Sequence, residues 1–254
     1  MTALHPDVTD DAALGGRLSL LQPRRGHRFG HDAVLLAAAC AAAAGDRVVD
    51  LGAGVGLAGL SVALRVAGTS VVLVERDEKL AALAAENARR NGLGPRTDVL
   101  ALDVMAPADA FAGAGLAPGT ADWVVMNPPF NDPERQRASP ERSRAEAHQA
   151  APETLRDWLA TAARLLTPHG RLALIWRAEG LGDVLAAVEP GFRDIRILPV
   201  HPWPAAAAIR VLVTARRGSR APLTLLPGLA LADADGRPAA AAEAVLRDLA
   251  ALPL

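Results

Sequence analysis

The segment from Arg47 to Gly56 constrains the fold of this chain more than any other. It has the sequence RVVDLGAGVG, an apolar strand that runs into a glycine-rich turn and then a helix. Glycines at alternate positions remove side chains where a backbone turns tightly and approaches a ligand closely. A strand, a glycine-rich turn and a helix open many α/β sheets that bind a nucleotide-like ligand at their strand ends. The segment therefore predicts an α/β fold with a cofactor loop at Gly52, Gly54 and Gly56.

An acid before this turn narrows the choice of ligand. Asp50 lies two residues before Gly52, so the spacing differs from the G-x-G-x-x-G loop that binds the pyrophosphate of a dinucleotide. A carboxylate at this place repels a pyrophosphate but attracts a cation. Because S-adenosylmethionine carries a sulfonium and an ammonium group and no phosphate, we expect it, rather than NAD, as the cofactor.

Two further predicted strands end near an acid. Ser70–Glu75 is β-branched and apolar until Glu75, one βαβ unit after Asp50, so Glu75 is placed to accept hydrogen bonds from both ribose hydroxyls. Its alternative role is to cap the next helix, a role that we assign to Asp77. Asp103 follows the third strand and is placed to bind the exocyclic amine of the cofactor adenine, although an ordinary turn residue is its alternative interpretation.

A polar and aromatic tetrapeptide follows the fourth predicted strand, where Asn127, Pro128, Pro129 and Phe130 come directly after Met126. Prolines cannot donate to a sheet ladder and their φ is fixed, so the strand stops at Asn127 and its carboxamide points in one direction. An amide beside an aromatic ring suits a planar amine, such as the amino group of a nucleobase. An ordinary strand-ending turn is the alternative, and the cofactor loop upstream favours the clamp over it.

These motifs together resemble the class I S-adenosylmethionine-dependent methyltransferases, and the tetrapeptide is similar to the Asn-Pro-Pro-(Phe/Tyr) signature of those that methylate amines. The resemblance covers nearly the whole chain. It implies that the Asn127 amide oxygen and the Pro128 carbonyl accept hydrogen bonds from the target amine, that Pro129 completes the clamp, and that Phe130 stacks on the target ring. Two such acceptors would free the delocalised lone pair of the nitrogen, so positioning and electrostatics supply the catalysis. No protein nucleophile and no metal ion is expected.

The N-terminal block narrows the resemblance to the tRNA(Val) adenine-N6 methyltransferase family. Its Phe29-Gly30-x-Asp32 sequence is similar to the short hairpin with which that family enters its core. The resemblance implies that Asp32 caps a helix from Ala33 to Ala43 and also faces the methionine end of the cofactor. Capping alone is the alternative, since an aspartate before an apolar helical run is an ordinary N-cap.

Arginines near the clamp are candidates for contacts with RNA phosphates. The polar stretch 131–148 is similar to the segment that follows the clamp in that family, and its length predicts a lid. Because the formal net charge is −1, RNA must be bound by local patches. Alternation with glutamate makes a solvated surface the alternative for each single arginine. The candidates are Arg24, Arg25, Arg28, Arg135, Arg137, Arg142 and Arg144.

The rest of the chain predicts the remainder of one α/β domain. A helix is expected over 152–166, a strand over 171–176, a helix over 180–188 and closing strands over 192–200 and 209–215, with a surface turn at His201–Pro204 between the last two. The 254 residues suffice for one methyltransferase domain, 1–254, with an N-terminal hairpin and helix (1–45), a Rossmann-like core (46–215) and a C-terminal extension (216–254).

Composition bears on chemistry and location. Cys40 lies in an alanine-rich stretch and is expected to be a small core residue rather than a nucleophile. No cluster has metal-ligand spacing. No apolar run approaches the ~20 residues of a membrane span, and nothing at the N-terminus resembles a signal peptide. We therefore expect a cytoplasmic protein without a membrane partner. The sequence does not indicate its oligomeric state.

We predict an α/β fold with a seven-stranded, mostly parallel Rossmann-like methyltransferase sheet, helices on both faces and an antiparallel C-terminal hairpin. The resemblance implies methylation of the exocyclic amine of an adenine in the anticodon loop of a valine tRNA. One alternative is a glutamine-N5 protein methyltransferase, which shares the clamp but whose usual helical N-terminal substrate domain is missing here. Another is a non-catalytic RNA-binding protein on the same fold, against which the acids at positions 50 and 75 argue.

Overall fold

The structure is a computed structural model that describes residues 7–25, 30–129 and 140–254, and side chains in the last range from Glu153 onward. Strands β1 (Val8–Ala13) and β2 (Leu18–Pro23) form an antiparallel hairpin. Seven strands then build the central sheet: β3 (Arg47–Leu51), β4 (Ser70–Glu75), β5 (Thr97–Ala101), β6 (Ala121–Met126), β7 (Leu166–Arg177), β8 (Arg193–His201) and β9 (Arg210–Arg216).

The strand order in this sheet is β5-β4-β3-β6-β7-β9-β8. Neighbours from β5 to β7 pair in parallel, and β9 is antiparallel to both β7 and β8. The predicted seven-stranded, mostly parallel sheet with an antiparallel C-terminal hairpin is confirmed. Two short strands that the sequence did not predict, β10 (Thr224–Leu225) and β11 (Leu229–Ala230), pair with the outer edge of β8.

Helices cover both faces of the sheet, as predicted. One layer contains α1 (His31–Ala39), α2 (Leu57–Arg65), α3 (Glu78–Arg90) and α7 (Ala240–Asp248), and the other contains α4 (Ala108–Gly113), α5 (Pro140–Leu165) and α6 (Leu181–Val188). Alternate strand residues face opposite layers: Val48 and Val71 pack with the first, Val49 and Val72 with the second. Because β3 and β4 are buried on both faces, apolar residues such as Val48 and Val49 follow one another in their sequences rather than alternating with polar ones.

Helix α1 ends earlier than the sequence predicted. It stops at Ala39 rather than Ala43, and Cys40 follows in an extended conformation. The guanidinium of Arg65 donates to the carbonyls of Ala37 and Cys40, which satisfies acceptors that the helix end would otherwise leave open. Cys40 is fully buried, and burial raises the pKa of its thiol to about 12, so the expected core role is confirmed.

Helix α5 begins earlier than the sequence predicted. It starts at Pro140 rather than Pro152, so residues 140–148 of the expected lid are helical and not a loop. Pro152 lies inside the helix, where it lacks one backbone N–H donor. The prediction that Pro152 lies in the first turn of this helix was therefore wrong.

No helix among the described residues is both long and apolar enough to span a membrane. The C-terminal extension packs onto the core, since the N–H of Leu252 donates to the carbonyl of Ala38 at 2.9 Å and Val245 joins the cluster around α1.

Two helical glycines should respond oppositely to an added methyl group. At Gly59 a Cβ would lie 2.4 Å from the buried Leu73 side chain, whereas at Gly182 nothing lies within 4 Å. We expect Gly59→Ala to lower the free energy of unfolding by about 1–3 kcal/mol through overpacking. Gly182→Ala should raise it by about 0.5–1 kcal/mol through helix propensity. Urea unfolding measures both; equal shifts of one sign would contradict the packing of α2 on β4.

Candidate active site

A cavity of about 330 Å³ lies at the C-terminal ends of β3 and β6, a size typical of small-molecule sites. It brings together five residues that the sequence singled out: Asp32, Asp50, Gly52, Gly54 and Asn127. The remaining lining comes from the start of α1, the glycine-rich turn, α2 and α3, and comprises Gly30, His31, Ala33, Leu36, Ala53, Val55, Leu57, Ala58 and Leu80. Of these, Gly30, Ala53 and Val55 belong to motifs that the sequence indicated, although none was predicted as a site residue.

The glycines of the turn serve different purposes. Gly54 has φ +57°, and a Cβ there would meet nothing within 4 Å, so its position leaves open space beside the cavity. A Cβ on Gly52 would lie 2.4 Å from the ring of Trp158 on α5. Gly56 does not line the cavity; it precedes α2, and a Cβ there would lie 2.9 Å from Leu73. Gly52 and Gly54 therefore line the cavity, and the predicted cofactor contact of all three glycines stays a prediction.

Asp50 is a buried carboxyl at the end of β3. Its Oδ2 accepts a hydrogen bond from the N–H of Gly59 at 2.8 Å, which satisfies a donor in the first turn of α2. Burial raises its pKa from 3.8 to about 7; the bond from Gly59 lowers the pKa, and the nearby Glu75 carboxylate raises it further. The cavity therefore has a carboxyl that changes charge near neutral pH.

Glu75 braces the glycine-rich turn. Its Oε2 accepts from the N–H of Gly54 at 2.8 Å, and its Oε1 accepts from the N–H of Asp77 at 2.9 Å. Asp77 caps α3 by accepting from the N–H groups of Lys79 and Leu80, as predicted. Glu75 does not line the cavity, and each of its oxygens keeps a lone pair for a further donor. Its contact with ribose stays a prediction.

Asp103 forms the turn after β5. Its Oδ1 accepts from the N–H of Met105 at 2.8 Å, and its Oδ2 lies 3.8 Å from Nη1 of Arg76. The turn interpretation thus describes its contacts, and the contact with the cofactor adenine stays a prediction.

Asp32 does not cap α1, so that prediction was wrong. The N-cap is Gly30, and Asp32 lies inside the first turn, where its Oδ2 accepts from Nε of Arg210 at 2.9 Å. The partner comes from the start of β9, 178 positions away, which no local pattern indicates. Asp32 nevertheless lines the cavity, as its predicted second role requires.

Asn127 lines the cavity and has a buried amide oxygen. Its Oδ1 is buried and has no hydrogen-bond partner within the part of the chain that the structure describes. An unsatisfied buried acceptor costs about 1–3 kcal/mol, so such a group usually has a functional explanation. Pro128 is buried and Pro129 is exposed, while Phe130 lies outside the described residues. Within the described part of the clamp, the Asn127 Oδ1 can therefore still accept a hydrogen bond.

The predicted RNA contacts are only partly described. Arg24 and Arg25 are exposed just after β2. Trp203 is exposed in the turn between β8 and β9, as predicted for that surface turn. Arg28, Arg135 and Arg137 lie outside the described residues, and Arg142 and Arg144 lie in α5, where side chains are not described.

Across residues 7–25, 30–129 and 140–254 there is no group of three or more His, Cys, Asp or Glu side chains that could hold a metal ion. The cavity wall instead fits a cationic methyl donor, because two carboxyl groups, Asp32 and Asp50, share it with the free acceptor of Asn127 and the open space at Gly54. When bound, S-adenosylmethionine supplies an electrophilic methyl group.

Comparison with known proteins agrees with this geometry. The sequence model of the methyltransferase small domain matches residues 28–192. The tRNA1(Val) (adenine(37)-N6)-methyltransferase of Dickeya chrysanthemi is 32% identical over 228 residues, 87% of this chain and 87% of that protein. The protein of the same name from Porphyromonas gingivalis is 32% identical over 182 residues, 68% of this chain and 69% of its own length.

Among solved structures, a predicted O-methyltransferase from Agrobacterium tumefaciens, protein Atu636, is similar with a TM-score of 0.73 and 31% identity, covering 87% of this chain and 97% of that one. The predicted fold class, enzyme class and cofactor are confirmed. The chain belongs to the methyltransferase small domain family of S-adenosylmethionine-dependent methyltransferases.

Proposed function

We propose that the protein transfers a methyl group from S-adenosylmethionine to the exocyclic N6 amine of an adenine in a tRNA. The observation that carries the proposal is the buried Oδ1 of Asn127, which has no hydrogen-bond partner among the described residues, in a residue that lines the cavity together with Asp50 and Asp32. The relatives are named as methyltransferases that act on adenine 37 of tRNA1(Val). These names support an adenine of a tRNA as the substrate and predict that position 37 is the one methylated.

The strand order supports the orientation of the donor. From the edge inward, the C-terminal ends of β5, β4, β3 and β6 carry Asp103, Glu75, Asp50 and Asn127, respectively. Neighbouring strands lie about 4.8 Å apart, so these four positions span roughly 14 Å along one edge of the sheet. We assign Asp103 to the adenine of the donor, Glu75 to its ribose, Asp50 and Asp32 to its cationic amino-acid end, and Asn127 to the acceptor.

The acceptor amine explains why an amide follows β6. The lone pair of an adenine amino group is delocalised into the ring, so the nitrogen is a poor nucleophile. Its two N–H groups can donate to the Asn127 Oδ1 and the Pro128 carbonyl, which draws the hydrogens out of the ring plane and frees the lone pair. Phe130 supplies the face on which the target ring stacks, and Pro129 keeps the turn rigid.

RNA contacts supply the remaining affinity. Bases in single-stranded loops can be splayed out and stacked on aromatic side chains, as a buried clamp requires. Because the net charge of −1 gives no overall attraction, we assign phosphate contacts to the local cluster Arg24, Arg25, Arg28, Arg135, Arg137, Arg142 and Arg144. A tRNA substrate also implies that the protein acts in the cytoplasm.

Labelled methyl transfer decides the substrate. The wild-type protein is incubated with tritiated S-adenosylmethionine and a valine tRNA transcript, the same transcript with guanine at position 37, or a release factor. We expect label only in the first transcript, as N6-methyladenosine. Label in protein as methylglutamine would support the glutamine-N5 alternative, and label on a ribose or other hydroxyl would support an O-methyltransferase. RNA binding without transfer would support the non-catalytic alternative.

The Asn127 acceptor should matter for transfer and not for donor binding. Asn127→Ala is expected to lower the rate of methyl transfer by about 10²-fold or more, the size of effect seen when a group that stabilises developing charge is removed. The matched control is Asn91→Ala, which removes an asparagine bonded to Ser19 outside the cavity. Single-turnover transfer and calorimetry with S-adenosylmethionine test this. Equal loss of donor binding and transfer in Asn127→Ala would contradict the assignment.

Donor binding should depend on pH through Asp50. Between about pH 4 and 7 the folded free protein keeps a proton on Asp50 that the unfolded chain has released, so this group makes unfolding easier as pH rises. A cationic donor favours the ionised carboxylate and lowers its pKa, so binding releases the proton. Affinity should therefore rise by up to about tenfold per pH unit below pH 7 and level off above it.

Calorimetry from pH 6 to 8 in buffers of different ionisation enthalpy measures this proton release. Asp50→Asn keeps an oxygen that can accept from Gly59 but has no proton to release, so it serves as the control. The ammonium group of the donor also titrates. Only the difference in proton release between the wild type and Asp50→Asn is therefore assigned to Asp50. Identical proton release by both would contradict the prediction.

A further inference from the structure

Asn87 of α3 and Asn91, the C-cap residue of that helix, bond to the main chain of the N-terminal hairpin. The Oδ1 of Asn91 accepts from the N–H of Ser19 at 3.0 Å, and its Nδ2 donates to the Ser19 carbonyl at 2.9 Å. Asn87 makes the same pair of bonds with Leu21, at 2.7 and 3.0 Å. Residues four apart on a helix share a face and alternate residues on a strand share an edge, so the two amides take the place of a neighbouring strand beside β2.

Asn87 makes one contact that Asn91 lacks. Its Nδ2 also donates to the carbonyl of Val55 at 3.0 Å, and Val55 lies in the glycine-rich turn and lines the cavity. The Asn87 side chain is fully buried, with both amide hydrogens and the oxygen in hydrogen bonds. A buried amide is costly to leave unpaired. The three hydrogen bonds of Asn87 therefore fix the distance between Leu21 of the hairpin and Val55 of the glycine-rich turn.

The two segments joined by Asn87 are both connected with the lining of the cavity. Val55 lines the cavity directly, and the first described residues after the hairpin, Gly30–Ala33, line it as well. Helix α3, which carries Asn87, adds Leu80 to the same lining. Asn87 therefore links the hairpin directly to the glycine-rich turn.

We propose that Asn87 is a positioning residue for the cofactor cavity, fixing the glycine-rich turn relative to the N-terminal hairpin so that the residues lining the cavity are spaced for the donor. The inference rests on the assignment of this cavity to S-adenosylmethionine and does not depend on which amine accepts the methyl group.

Asn87→Ala and Asn91→Ala form a matched pair, because each removes an amide that pairs with β2 but only the first removes the bond to Val55. At a temperature where both variants are fully folded, we expect the Kd for S-adenosylmethionine to rise about tenfold or more in Asn87→Ala and to stay within about twofold in Asn91→Ala. The KM for the donor should follow the Kd, with kcat at saturating donor nearly unchanged. Equal Kd changes in the two variants would overturn the proposal, whereas failure of the wild type to bind the donor would overturn the cavity assignment.

Hydrogen exchange in the wild-type protein tests the same coupling if Asn87→Ala does not fold. Saturation with S-adenosylmethionine should slow exchange of the Leu21 N–H, which donates to Asn87, by about tenfold. The Ser19 N–H, which donates to Asn91, should change by less than about twofold, and neither residue lines the cavity. Protection of the glycine-rich turn without protection of Leu21 would overturn the proposal.

Discussion

The parallel pairing of β3 with β4 on one side and with β6 on the other is the constraint on which the rest of the structure depends. Parallel strands end at one edge of a sheet, so groups that are distant in the chain come side by side there. Asp50, Glu75 and Asn127 become neighbours in this way without any loop that joins them. Methyl transfer requires the methyl donor and the methyl acceptor to be aligned. The order of the strands provides this alignment before any side chain contributes.

Sequence patterns predicted the strands well because a strand that is buried on both faces has a recognisably apolar sequence. The runs that became β3, β4 and β6 are apolar and β-branched with few interruptions, and the strand-ending acids and prolines mark their limits. Helix ends were predicted less well. At the end of α1, the Arg65 guanidinium donates to the carbonyls of Ala37 and Cys40, a tertiary contact that local rules do not contain. Helix α5 runs through Pro152, a residue that local rules place at a helix start.

The residues of the candidate site likewise fall into a group that sequence patterns predicted and a group that they missed. The glycine-rich turn, its acids and Asn127 were found because each follows a strand end, where topology alone brings them together. Arg210, Asn87 and Trp158 were missed because each acts on a residue far away in the chain: Asp32 and Leu21, at separations of 178 and 66, and Gly52 from the opposite layer of helices. Each of these side chains contacts a residue that lines the cavity, namely Asp32, Val55 or Gly52, and one sequence has no pattern that reports such long-range contacts.

The contact between Gly52 and Trp158 has a consequence for how members of this family can diverge. The indole occupies the space that a side chain at position 52 would need, and it comes from α5, which follows the acceptor clamp in the chain. A methyl group at position 52 would meet the ring at position 158, and the φ of +71° at Gly52 disfavours any L side chain even beside a smaller ring. We therefore expect position 52 to stay glycine even where the residue at position 158 changes.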